Sequence, residues 1–372
     1  MMKVNQLRVG ELQNSLRAEK MDAFLISKME NIRYLSGFSG STGYMLVDGK
    51  SAYIFVDFRY VQQVKKETSG IEIIQTSRSQ AGEVCEFIKK KKYKKIGVEG
   101  GHLSVNNFGV FEGLIAKTQK LIATGGFIEK ARMVKSKDEI ALIKKAVELA
   151  DVTFYEMVSK GRENFINKSE SEVAAKLEYY MKCGGAQSPS FESIVAFGPN
   201  SAYPHYKPSA DVIVKPKSKK AGDGTFLKLD FGAKLNGYCS DMTRTIFIGK
   251  PSQKHIDVYK IVLEAQLTAL SKARPGMRGS EIDKLARDVI AKYGYKDNFG
   301  HGLGHGVGLE IHEGPTVSSL GEVVVAENMV FTVEPGVYIP GFGGVRIEDI
   351  VVMGKTGCKI LTKSPKEILI IE

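Results

Sequence analysis

Cysteine is scarce in this 372-residue sequence, and the four that occur, Cys85, Cys183, Cys239 and Cys358, form no CxxC pair. That scatter excludes a thiolate metal site and a disulfide framework, and it fits a reducing, cytoplasmic setting. No stretch approaches the run of about 18 apolar residues that a membrane span needs. The N-terminus, MMKVNQLRVGELQNSL, also lacks the apolar segment of a secretory leader. Neither GxGxxG nor GxxxxGK[ST] occurs, so dinucleotide and P-loop chemistry are excluded as well.

What is present reads as an ordinary globular protein, 43% hydrophobic and 26% charged, long enough for two domains. The net charge of +11 and pI near 9.2 invite a nucleic-acid reading. The lysines are nevertheless dispersed, and the one dense run, Lys89 to Lys95, falls at an expected helix end where cations favour the helix dipole. No zinc-finger spacing or RNA-binding aromatic signature accompanies it, so no nucleic-acid partner is expected.

Residues 1–130 alternate helical and strand patterns and read as an α/β domain. Strands are expected at 23–26, 71–74 and 96–98 and helices at 58–66 and 81–91, with a hairpin turning at Asp48-Gly49. His102, isolated in a Gly-Gly-His loop, reads as a surface residue. A boundary is expected near 125–135. Capping boxes at Ser136–Glu139 and Ser169–Glu172 then open two helices, the second ending at Gly184-Gly185. Strands follow, then helices near 254–272 and 280–292, then strands again. Residues 131–372 therefore read as an α+β domain in which helix pairs followed by strands occur twice.

Three of the six histidines, His301, His305 and His312, fall within GHGLGHGVGLEIHE, where glycine occupies positions 300, 302, 304, 306 and 308. That much glycine forbids a helix interior. HGLGH mimics the spacing of the zinc helix HExxH, but Gly302 stands where its glutamate is required, so a zincin is rejected. Carboxylates supply a better lead. In LDFGAKL-NG-YCSDMTRT, Asn236-Gly237 suits a two-residue type I′ turn pairing Leu235 with Tyr238. Counting outward, Asp230 faces Thr243, and Asp230 and Asp241 project from one face as diagonal neighbours. Two like charges on one face repel unless a cation joins them. Glu334 ends a second apolar strand, and Glu348 shares a face with Arg346 while Asp349 points away. Four acids with imidazole favour a harder divalent ion such as manganese, and so many ligands suit a metal pair.

The order Asp230, Asp241, His305, Glu334, Glu348 resembles the methionine aminopeptidase, aminopeptidase P, prolidase and creatinase family with its pita-bread fold. The motifs are LDFGAKLNGYCSDMTRT, GHGLGHGVGLEIHE and TVEPGVYIPGFGGVRIEDIV, and NIRYLSGFSGSTGYMLV is similar to the creatinase-type N-terminal domain of the proline-specific branch. The resemblance implies a creatinase-like α/β domain over 1–130 and a pita-bread catalytic domain over 131–372. It implies two divalent ions, manganese first and cobalt or zinc as alternatives. Asp230 would chelate one ion, His305 and Glu334 the other, with Asp241 and Glu348 bridging, and Glu334 would also carry the proton. His205 would lie near the scissile bond, His312 would bond the peptide carbonyl, and His301 and Arg346 would support the site or touch substrate. The implied activity is hydrolysis of Xaa-Pro bonds, with Xaa-Pro aminopeptidase placed first and Xaa-Pro dipeptidase as the alternative. A non-enzymatic binding module is disfavoured by the complete ligand series. Small peptides with proline second would be the substrates, and a homodimer is expected from the family alone. The longer interval between His205 and Asp230, with its basic turn KPKSKKAGDG, is expected to reshape the substrate mouth.

Overall fold

The computed structural model describes residues 2–77, 79–214 and 222–372; most of the basic turn, residues 215–221, lies outside them. The chain divides into two compact units, Met1–Arg132 and Met133–Glu372.

The first unit is built on one mixed sheet. Its strands are β1 (Ala23–Ile26), β2 (Tyr44–Asp48), β3 (Ala52–Asp57), β4 (Glu72–Thr76), β5 (Lys95–Glu99) and β6 (Lys120–Thr124), in the spatial order β4-β3-β2-β1-β5-β6. Strands β1, β2 and β3 pair antiparallel, and the outer pairings are parallel. Leu25, Phe55, Ile88, Ile96 and Phe111 fill its core; each such side chain contributes about 1.5–3 kcal/mol by leaving water. The hairpin turns one residue later than expected. Asp48 still pairs with Ser51, and its side chain accepts from the amides of Lys50 and Ser51 at 2.8 Å each. That side-chain bonding pulls Asp48 into the ladder and leaves Gly49-Lys50 as the turn. The helix Met29–Ser36 escaped sequence reasoning because no side chain caps its start, although Gly37 ends it at φ 84°.

In the second unit both expected capping boxes form. Ser136 opens the helix Lys137–Ser159 and Ser169 opens Glu170–Cys183, each with reciprocal bonds to the glutamate three residues on. The first half continues with β7 (Ser188–Pro189), β8 (Ile194–Phe197), β9 (Thr225–Phe231), β10 (Ala233–Leu235), β11 (Tyr238–Cys239) and β12 (Met242–Ile248). Helices Gln253–Lys272 and Gly279–Lys292 lead the second half. The latter is capped at Arg278 and starts one residue before Ser280, because the Glu281 carboxylate accepts the Arg278 amide. Strands β13 (Gly304–Gly306), β14 (Glu313–Val317), β15 (Val330–Val333), β16 (Gly336–Ile339), β17 (Gly343–Arg346), β18 (Asp349–Met353), β19 (Cys358–Ile360) and β20 (Ile370–Ile371) complete it. The main sheets run β20-β12-β9-β8 and β14-β13-β15-β18-β19. One apolar core gathers Phe154, Leu177, Leu229 and Phe231, the other Val262, Ile282, Phe331 and Val351.

The hairpin register holds as counted. Asn236 and Gly237 take φ 51° and 83° as a type I′ turn requires, Leu235 pairs with Tyr238, and Asp230 lies opposite Thr243. No bulge intervenes, so the alternation along β9 and β12 carries through to the acids.

Candidate metal centre

All nine residues singled out in the sequence, Asp230, Asp241, His205, His301, His305, His312, Glu334, Arg346 and Glu348, line a single cavity of about 590 Å³. They come from separate elements. Strand β9 carries Asp230, the start of β12 follows Asp241, β13 carries His305, and Glu334 ends β15. Glu348 sits in the break between β17 and β18, where the expected single strand is interrupted. Asp349 turns the other way, held by Arg244 at 2.8 Å and Lys366 at 2.7 Å.

The acids are crowded. One ligand atom each from Asp241, His305 and Glu348 lies within 4.8 Å of the other two. His305 Nε2 is 3.5 Å from Asp241 Oδ2 and 3.4 Å from Glu334 Oε1. Asp230 stands outside that triad. Its Oδ2 is bonded by Arg346 Nη2, while its Oδ1 is buried without a hydrogen-bond partner among the described residues. Burial, followed by the mutual repulsion of Glu348, Asp230 and Glu334, raises the Asp241 carboxyl well above the usual range. Burial and the repulsion of Glu334 and Asp230 do the same to Glu348. Burial pushes the Glu334 carboxyl up to about 7, against the pull of Arg346.

Such a set fits divalent cations. Oxygen and imidazole donors converge, an orphaned carboxylate oxygen waits beside them, and the repulsion that raises the acids is what a cation would relieve. Burial also lowers His305, and it brings His301 down to about 3 with help from Arg346, so both imidazoles stand neutral at pH 7.

The supporting contacts were not legible in advance. Thr243 Oγ1 donates to Glu348 Oε2 at 2.7 Å and accepts from Arg346 Nε at 2.9 Å, tying a cation to an acid. Arg346 Nη1 donates to Tyr338 Oη at 2.9 Å and to the Pro204 carbonyl at 3.2 Å, so each of the three guanidinium nitrogens has a partner. Tyr338 in turn meets His301 Nε2 at 2.9 Å. Thr332 Oγ1 donates to Glu334 and accepts the His305 amide. The glycine-histidine stretch is gripped from the helix Gly279–Lys292. Arg287, paired with Asp283, donates to the carbonyls of Phe299 and His301, and Asp283 accepts the Leu303 amide. Gly304 is required there, since a Cβ would strike the Thr332 carbonyl oxygen.

Two buried polar side chains hold the loop that carries His205. Lys228, fully buried on β9, donates to the carbonyls of Ser201 at 3.1 Å and Tyr203 at 2.6 Å. Burial, with Arg346 nearby, drives its ammonium pKa well below normal. Glu170, also fully buried, accepts five bonds, from Phe197 N, Asn200 Nδ2, Tyr206 Oη, Ser209 N and Ser209 Oγ. A signal for Lys228 did exist, because the period of two places it on the face of Asp230; Glu170 carried none.

The sequence matches the family model for metallopeptidase family M24 over residues 141–355 and that for the creatinase/prolidase N-terminal domain over 8–134. The Xaa-Pro dipeptidase of Pyrococcus furiosus is 41% identical over 366 residues, 97% of this chain and 99% of that protein. Among solved structures, the Xaa-Pro dipeptidase from Bacillus anthracis is 39% identical with a TM-score of 0.92, covering 98% of this chain and 99% of the other. The X-Pro aminopeptidase from Thermotoga maritima is 38% identical with a TM-score of 0.85, covering 95% of this chain and 100% of the other.

Proposed function

The chain belongs to metallopeptidase family M24, and from that premise we propose that it is an Xaa-Pro dipeptidase acting through two divalent ions. It is a hydrolase with a creatinase-type N-terminal domain and a pita-bread catalytic domain. The relatives move the preference from the aminopeptidase first expected to the dipeptidase. The P. furiosus and B. anthracis proteins bear the dipeptidase name, whereas the T. maritima structure supports the aminopeptidase as the second reading. We assign residues 1–130 and 131–372 to the two domains, and we take Asp230, Asp241, His305, Glu334 and Glu348 as the ligands. The observation that carries the reading is the convergence of Asp241, His305 and Glu348 within 4.8 Å in a cavity that the other two acids also line.

Two divalent ions, when bound, would supply Lewis acidity and lower the pKa of attacking water. The chain's own residues do the rest. Glu334, whose Oε1 lies 3.4 Å from His305 Nε2 on the cavity wall, takes the proton of the attacking water and returns it to the leaving proline nitrogen. His312, on the cavity wall with its ring 4.3 Å from that of His305, donates to the scissile carbonyl as negative charge grows there. His205 lines the same cavity and is the second imidazole we assign to that bond. Arg346 keeps Asp230 in place, and Tyr338 fixes His301. Phe191, Ile194, Pro204 and Ile311 give the cavity an apolar wall suited to the proline ring.

Manganese is the metal we favour, on the carboxylate-rich donor set. A cytoplasmic homodimer is the state we expect. The reading is tested with Xaa-Pro dipeptides and Xaa-Pro-Yaa tripeptides, with added manganese and with chelator. Manganese-dependent turnover of dipeptides is the expected result. Preference for tripeptides would make the protein an aminopeptidase, and no cleavage of either would end the Xaa-Pro reading.

A further inference from the structure

A dipeptidase must read the free carboxylate of its substrate's proline, and the family ligands leave that task unassigned. Among the described residues, two side chains lining the cavity carry a permanent positive charge, Arg346 and Lys207. Arg346 is spent. It is buried, and its guanidinium bonds Asp230, Thr243, Tyr338 and the Pro204 carbonyl. Lys207 is exposed at the mouth, and no hydrogen bond or ion pair engages its ammonium among the described residues. The cavity's exposed acid, Glu192, forms no ion pair with it.

The backbone that presents Lys207 is unusually well held. On one side, Tyr206 donates to Glu170 at 2.7 Å and stacks on Tyr203 with ring centroids 6.2 Å apart. On the other, the Pro208 carbonyl accepts Ser171 Oγ at 3.1 Å, and Ser209 bonds Glu170 through both its amide and its hydroxyl. Upstream, Lys228 anchors the carbonyls of Ser201 and Tyr203. Ordering on binding is therefore confined to one lysine side chain, which lowers its entropic cost.

We propose that Lys207, presented by the loop clamped between Lys228 and Glu170, binds the C-terminal carboxylate of the substrate and so makes the enzyme select dipeptides. The proposal rests on the Xaa-Pro dipeptidase reading. Its test compares kcat/KM for Ala-Pro and Ala-Pro amide in wild type, Lys207→Gln and Lys207→Arg, at low and high salt. Wild type is expected to prefer the free acid by about tenfold, the worth of one charge-assisted hydrogen bond at a wet site. Lys207→Gln should bring that preference close to unity through KM, Lys207→Arg should retain most of it, and about 1 M salt should shrink it in wild type. A Lys207→Gln enzyme that keeps the wild-type preference, or a wild type that uses acid and amide equally, overturns the assignment while leaving an Xaa-Pro peptidase. Failure of metal-loaded wild type to cleave either substrate removes the dipeptidase reading and this proposal together. Thermal melting of each variant shows that a changed preference is not a folding defect.

Discussion

Replacing Glu170 by glutamine should destabilise the second unit by about 3 kcal/mol, and the hydrogen-bond geometry supplies the figure. Phe197 N and Asn200 Nδ2 donate to Oε1 at 2.7 and 3.0 Å. Tyr206 Oη, Ser209 N and Ser209 Oγ donate to Oε2 at 2.7, 3.1 and 2.8 Å. A glutamine amide must turn its NH2 toward one of these groups. The two hydroxyls can rotate and the Asn200 amide can flip to accept from it. A backbone N–H cannot, so either Phe197 or Ser209 loses its partner in a fully buried place, at about 1–3 kcal/mol. The bonds that remain lose their charge assistance, roughly half their strength. For a unit of this size that loss corresponds to a fall in Tm of roughly 6–12 °C. Calorimetry measures it directly. The same variant should raise KM for Xaa-Pro dipeptides, because the released loop carries both His205 and Lys207. A melting temperature within about 2 °C of wild type would refute the claim that a buried carboxylate organises this loop.

Gly304→Ala should cost about 1–3 kcal/mol, since the added Cβ runs into the Thr332 carbonyl oxygen; an unchanged urea midpoint would contradict it. Thr243→Val removes the hydroxyl joining Glu348 to Arg346 and should weaken metal affinity about tenfold, read by titration with the metal followed in the protein. Stability of the metal-free protein should fall as pH rises. Burial and neighbouring acids raise the folded-state carboxyls, Glu334 from 4.5 to about 7, so the native state binds the extra protons and loses that advantage across this interval. Urea denaturation at pH 5 and pH 7.5, with chelator and with manganese, measures this; equal metal-free stability at both would count against the crowding of acids. The thiol of Cys85, pushed up to about 11 by burial, should resist alkylation at pH 8 while exposed Cys183 reacts, as mass spectrometry of the labelled protein will report.

Much of the architecture is legible in the sequence, and the reason is locality. Ser136–Glu139 and Ser169–Glu172 satisfy helix N-termini within four residues, so their sequence pattern is their geometry. Asn236-Gly237 dictates a turn, and the period of two then carries the register unbroken to Asp230 and Thr243. The hairpin at Asp48 was misplaced by one residue because a side-chain bond, invisible to the pattern, competed with the turn signal. The helix Met29–Ser36 was missed because nothing caps its start.

The same division runs through the candidate metal centre. By itself the sequence determined the local frame, since glycines excluded a helix around His305 and the Asn236-Gly237 turn set Asp230 opposite Thr243, while the family resemblance implied which residues would meet. Only the tertiary structure decided how their charges are spent. Arg346 is committed to Asp230 and to the Pro204 carbonyl, Lys228 to the carbonyls of Ser201 and Tyr203, and Glu170 to donors up to 39 positions away. Each of these buried groups is satisfied by partners on a loop remote in sequence. Burial makes an unsatisfied charge costly, but it does not specify the partner. The fold specifies the partner, and by doing so it leaves Lys207 as the one uncommitted permanent cation among the described residues of the cavity.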